Sequence, residues 1–235
     1  DNNTWSEWET VSAIKNWTLD SGDGSKTIYM ELQDAAGNIG VLSESIVYDS
    51  TQPTVALSST SSDVLNTAFE VTISFSEKTS GFELGDFVVV NGTVSSLSEV
   101  RENVYTALVT PLTDGVVKVR VDANQVVDQA GNGNAISNEL AKTYDGTRPT
   151  VALSSSAPNA TNATFTVNIA FSEPVDAFTL ADVTVVNGTA SGLLAISASN
   201  YTITITPATD GEVAVSLGSD IAEDIARNGN ESSNE

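Results

Sequence analysis

Between Phe69 and Phe75 apolar and polar side chains alternate one for one, the period of a strand with one face buried. Shorter stretches rich in valine, alanine and threonine follow the same bias at 54–57, 87–90, 104–109 and 116–121, and a last one runs from near Glu139 to Tyr144. Turn residues separate them: Asn91-Gly92, a dipeptide suited to a tight hairpin, and Thr113-Asp114-Gly115. No stretch sustains a helical period. About seven short strands in about 96 residues, with a turn signal every ten or so, predict an antiparallel immunoglobulin-like sandwich. A module of that size can bury a core without disulfides.

The pattern then repeats. Residues 49–139 align with 145–235 at a constant offset of 96 with no gap, and 43 of the 91 positions are identical, which only a duplicated module explains. The second copy carries its strands at 150–153, 165–171, 183–186, 201–205 and 213–217, with Asn187-Gly188 and Asp210-Gly211 as turns. It reaches Glu235, the counterpart of Glu139, and so lacks an equivalent of Leu140–Tyr144. Residues 1–48 hold a Ser21-Gly22-Asp23-Gly24 turn, a strand at 27–32, a glycine turn and a strand at 45–48, which together read as the later half of a sandwich. The predicted organisation is therefore all-β, a tandem array of immunoglobulin-like antiparallel β-sandwiches. It comprises the C-terminal part of an Ig-like or fibronectin-like module (1–48), a full module (49–144) and a module without its last strand (145–235). With neither Met nor a signal sequence at Asp1, the chain reads as a piece of a longer protein.

Composition narrows the function classes. Nine Lys and Arg against 31 Asp and Glu give a formal net charge of -22, a surface that repels nucleic acid and anionic membrane and attracts cations. No window approaches the roughly 18 apolar residues of a membrane span. The chain has no Cys and no His, which removes disulfides, Cys/His zinc sites, thiol nucleophiles and His-based triads. Paired carboxylates can serve a glycosidase, but here the acids recur at turn positions in every module, so no enzymatic activity is expected. Asn-x-Ser/Thr sequons stand at Asn2, Asn16, Asn91, Asn159, Asn162, Asn187, Asn200 and Asn230, as a Thr- and Asn-rich chain produces by chance.

Four motifs recur: Asp-x-Thr-x-Pro-Thr-Val (49–55, 145–151), Phe-Ser-Glu (75–77, 171–173), Phe-x-Leu-x-Asp (82–86, 178–182) and Asp-x-Ala-Gly-Asn-Gly-Asn (128–134), which returns at 224–230 with Arg227 in place of Gly131. Together they resemble the bacterial Ig-like repeat domains of large surface proteins and adhesins. The resemblance implies an extracellular, cell-surface, non-catalytic multi-module stalk, sometimes stiffened by calcium. If the Gly131 position needs positive φ, Arg227 carries a steric cost there and the second loop is expected to be reshaped.

In such a sandwich the loop between the second and third strands and the loop between the last two lie at the pole where the first strand begins. The first module would gather Asp49, Glu77, Asp86, Asp128 and Asn132 there, and the second Asp145, Glu173, Asp182, Asp224 and Asn228. Clustered carboxylates repel unless neutralised, and Ca2+, which takes six to eight oxygen ligands in irregular geometry, suits the set. The competing reading is that Asp and Asn of Asp-x-Ala-Gly-Asn only close the turn on backbone amides. Asp114-Gly115 and Asp210-Gly211 read as turns at the opposite pole. The expected partners are neighbouring modules of the same chain or neighbouring subunits, with surface or glycan ligands as further candidates. Two alternatives stay open: a filament subunit joined by strand complementation at the incomplete ends, and a sugar-binding accessory module using Trp5, Trp8 and Trp17.

Overall fold

The computed structural model describes residues 5–234; the Asn2 sequon and Glu235 lie outside them. The alternation read from Phe69–Phe75 becomes β5 of a four-stranded antiparallel sheet in the order β3-β5-β8-β7, where β3 is Val55–Ser58, β7 Gly92–Arg101 and β8 Val104–Pro111. Facing it is a second sheet, β4-β10-β9-β6, built from Val64–Leu65, Leu140–Tyr144, Gly115–Val121 and Phe87–Val90. One core joins them: Val55, Leu57, Phe69, Val71, Ile73 and Phe75 from the first sheet meet Val117, Val119 and Val121 from the second. Each inward side chain stabilises the sandwich by about 1.5–3 kcal/mol on full burial, which is why strand period and burial pattern coincide.

The second module repeats this plan. Its first sheet is β11-β12-β15-β14 (Val151–Ser154, Phe165–Phe171, Asn200–Pro207, Gly188–Ala195), and its second is β13-β16 (Val183–Val186, Ala214–Leu217). Ahead of both modules, β1 (Gly24–Gln33) and β2 (Ile39–Tyr48) form an antiparallel hairpin. Its register pairs Gly24 with Tyr48, as Gly115 pairs with Tyr144 in β9–β10. Among the described residues no helix is long and apolar enough to cross a membrane.

Asn91-Gly92 does not make the hairpin expected of it. β6 pairs with β9 and β7 pairs with β8, so the dipeptide carries the chain from one sheet to the other. Asn91 takes φ 57 at the crossing, and Asn187 takes φ 55 at the matching point of the second module. A side chain on Gly92 would meet the Thr110 carbonyl oxygen at 3.1 Å and Val117 at 3.3 Å, so the close passage between sheets requires glycine. The strands after it, β7 and β14, escape the hydrophobic pattern because they are sheet edges interrupted by bulges near Ser95–Ser98 and Ser191–Leu194. Such irregularity also blunts an edge against stray pairing.

Candidate metal centres at the module joints

The loop after Phe75 is anchored by aromatic packing. Phe82 sits edge-on to Phe75 at 5.1 Å and to Tyr105 at 5.2 Å, and Phe178 repeats this with Phe171 and Tyr201 at 5.4 and 5.0 Å. This is the work of the Phe-x-Leu-x-Asp motif: the ring plugs the core under the pole, and the aspartate closes a single 3-10 turn. Asp86 Oδ2 accepts from the Glu83 amide at 2.7 Å, and Asp182 Oδ2 accepts from the Thr179 amide at 2.7 Å and its hydroxyl at 2.8 Å. Both carboxylates are thus committed to their own turns.

The Asp-x-Ala-Gly-Asn loop is equally well defined. Asp128 Oδ1 accepts from the Asn132 amide at 2.8 Å, and Oδ2 accepts from Asn132 Nδ2 at 2.8 Å. Asp34 with Asn38 and Asp224 with Asn228 make the same pair of bonds. Asn132 Nδ2 also donates to the Asp49 carbonyl at 3.1 Å, and Asn228 Nδ2 to the Asp145 carbonyl at 2.8 Å, tying each incoming linker to its module. Turning either amide over would set its oxygen against a carboxylate and a carbonyl, so these two asparagines face the site through nitrogen.

Asn134 and Asn230, fully buried, hold the loops from beneath. Asn134 Oδ1 accepts from the Gln125 and Val126 amides at 2.8 and 3.0 Å, while Nδ2 donates to the Asp122 and Ala135 carbonyls at 2.9 and 2.8 Å. Asn230 repeats all four bonds. Sequence reading missed their role, although the signal was present as the last Asn of a repeated Gly-Asn. Arg227 adopts φ 74 where Gly131 has 93, and the loop keeps its turn bonds: Arg227 N donates to the Asp224 carbonyl as Gly131 N does to Asp128. The expected reshaping does not occur, because the loop's hydrogen bonds hold arginine in the left-handed region.

With these loops in place, carboxylate oxygens of Asp49, Glu77 and Asp128 lie within 4.8 Å of one another, as do those of Asp145, Glu173 and Asp224. Asp86 and Asp182 are not in these groups. Asp128 and Asp224 are buried and the other four partly so. Burial alone would raise the Asp128 carboxyl, but hydrogen bonds from Asn132, Ala130 and Gly131 outweigh it and hold it below the usual aspartate range. Glu77 and Glu173 behave oppositely. Burial pushes Glu77 up, and Asp49, Asp128 and Asp23 push it further; for Glu173 burial is followed by Asp145, Asp224 and Asp114. Among the described residues neither glutamate receives a hydrogen bond or an ion-pair partner. Asp23 and Asp114, turn residues in the sequence pattern, each belong to the unit before the joint and reach the linker from that side.

Residues 49–144 and 145–235 each match the family model described as bacterial Ig-like domain. Similar solved structures include invasin, a bacterial integrin-binding protein, at 13% identity and TM-score 0.39, over 83% of this chain and 49% of that one. Yersinia pseudotuberculosis InvD is similar at 13% identity and TM-score 0.30, over 79% and 57%. A tetra-tandem repeat in the extending region of a large adhesion protein is similar at 19% identity and TM-score 0.26, over 90% and 56%. The chain spans about half the length of these structures. No curated protein matches it.

Proposed function

Since the chain belongs to the bacterial Ig-like domain family, carried as two consecutive copies, we propose that it is a non-catalytic, extracellular spacer of a surface protein or adhesin. In this reading Ca2+ at the joints stiffens the run of modules. Residues 24–48 are read as the closing hairpin of a further such unit, supported by the Gly24–Tyr48 register that matches Gly115–Tyr144.

The observation that carries the calcium reading is the unpaired glutamate at each joint. Glu77 and Glu173 are packed against two aspartates apiece, partly out of water, with no donor among the described residues to compensate them. Like charges held this close disfavour ionisation, and a proton or a cation relieves them. The available donors are all oxygen, the preference of Ca2+, and the absence of His and Cys leaves no nitrogen or thiolate to favour a transition metal. Asp49, Glu77 and Asp128 would hold one ion, and Asp145, Glu173 and Asp224 the other; bound there, it supplies positive charge that joins a linker residue to two loops. Because the linker residue belongs to the joint, such neutralisation restrains how one module follows the next.

Small-angle scattering and thermal melting with calcium and with chelator test this. The expected result is a longer, narrower particle and a higher melting temperature in calcium. Superimposable scattering and melting curves in the two conditions would remove calcium from the account.

A further inference from the structure

The two carboxylates that enter each joint from the preceding unit are placed differently from the clustered ones. Asp23, on the turn before β1, accepts with Oδ1 from the Ser50 amide at 2.9 Å and the Ser50 hydroxyl at 2.7 Å, and with Oδ2 from the Thr51 hydroxyl. Asp114, on the turn before β9, accepts with Oδ1 from the Gly146 amide at 2.7 Å and with Oδ2 from the Thr147 hydroxyl. Unlike Glu77 and Glu173, these groups are satisfied: the threonine hydroxyls and then the linker amides and Ser50 hold both carboxyls below the usual aspartate range. The same linkers are gripped from the far side by the Asn132 and Asn228 amides on the Asp49 and Asp145 carbonyls.

We infer that Asp23 and Asp114 are latches that fix the linker to the preceding unit by hydrogen bonds that need no cation. The pattern Asp-Gly at the start of an antiparallel strand pair, answered by a hydroxyl two residues after the aspartate that follows the second strand, is what builds the latch: Asp23-Gly24 with Thr51, Asp114-Gly115 with Thr147. A charged acceptor on a backbone amide and a hydroxyl is a stronger bond than a neutral one and needs no metal.

The two joints are not equally tied. At the second, the Asp145 amide donates to the Leu65 carbonyl at 2.9 Å, and Asn66 Nδ2 donates across the modules to Asn228 Oδ1 at 3.0 Å. Arg148 adds bonds to the Gly229 and Asn230 carbonyls at 2.7 and 2.9 Å and an ion pair with Asp220. The position of Arg148 is Gln52 at the first joint, which makes no such bonds among the described residues. The second joint therefore has more metal-free ties than the first, and the Asp114 latch is one of those that reach the first module.

The chain has no cysteine, so a pair introduced at exposed strand positions, Glu70→Cys and Thr166→Cys, takes spin labels only there. Distances between the labels are measured by pulsed electron resonance in chelator. A narrow distribution is expected for the parent chain, lost in Asp114→Ala and partly recovered in Asp114→Asn, which keeps an acceptor for the Gly146 amide. Circular dichroism of the three chains checks that the modules remain folded. A broad distribution for the parent in chelator, or an unchanged narrow one in Asp114→Ala, would overturn the latch. Either outcome leaves the calcium reading to its own test, since no divalent ion is present.

Discussion

Replacing Asn134 by alanine is the sharpest test of what holds the acidic loop in place. The side chain is fully buried and makes four hydrogen bonds, all to backbone groups of the loop that carries Asp128 and Asn132. Alanine leaves two amides and two carbonyls without partners, at about 1 kcal/mol for each bond lost, hence about 3–4 kcal/mol in all. Asn138 provides the control. It is exposed and makes two bonds, accepting from the Leu57 amide at 2.8 Å and donating to the Leu57 carbonyl at 2.9 Å, and its loss is worth about 1–2 kcal/mol. For a domain of this size each kcal/mol lowers the melting temperature by about 4–8 °C, so Asn134→Ala shifts the first module by about 15–25 °C and Asn138→Ala by about half of that or less. Scanning calorimetry reads both, with the second module as an internal reference, and hydrogen exchange at the Val126 amide localises the effect. If Asn134→Ala cost no more than Asn138→Ala, the loop would be held by something other than this buried side chain.

Three further outcomes are expected. The raised Glu77 and Glu173 carboxyls bind a proton more readily in the folded chain than in the unfolded one. The ion-free protein therefore gains stability as pH falls from neutral through their folded values toward the unfolded glutamate value of about 4.3, while the lowered Asp23, Asp34, Asp114 and Asp128 give up theirs only as pH falls below about 3.9. Melting curves from pH 7 to 4.5 in chelator check this, and a rise that survived in the Glu77→Gln/Glu173→Gln chain would assign it to the overall net charge instead. Arg227→Gly is expected to stabilise the second module by about 1 kcal/mol, because φ 74 costs an L-residue about that much, less the exposed pair with Glu223; a lower urea midpoint would contradict it. Gly229→Ala places a methyl against Asp220 Oδ1 and 3.0 Å from the Asp220 Cα, displacing the partner of Arg148, and is expected to destabilise by about 1–3 kcal/mol in the same urea assay.

The architecture was legible wherever burial follows a simple period. Phe69, Val71, Ile73 and Phe75 read as one inward face and form one. The internal repeat announces two modules of the same fold, and sandwich topology alone predicts that the acids Asp49, Glu77 and Asp128 converge, as they do. Sequence reasoning failed where a residue's work depends on what lies across space. Asn91-Gly92 has hairpin chemistry but crosses between sheets, because its neighbours pair with β9 and β8 rather than with each other. Asp86 and Asp182 share the pole with the other acids yet bond backward to their own turns, a choice set by the 3-10 geometry after Phe82 and Phe178. Asp114 looked like a turn residue because the linker it holds is some thirty residues away in sequence.

The joint reading is tested most directly by calorimetric titration of the intact chain with calcium. Two binding events are expected, one for each cluster, with Glu77→Gln removing one and Glu173→Gln the other while both proteins stay folded. Absence of heat in the parent chain, or binding that is indifferent to both substitutions, would contradict the claim that acids gathered from separate loops hold an ion where one module meets the next.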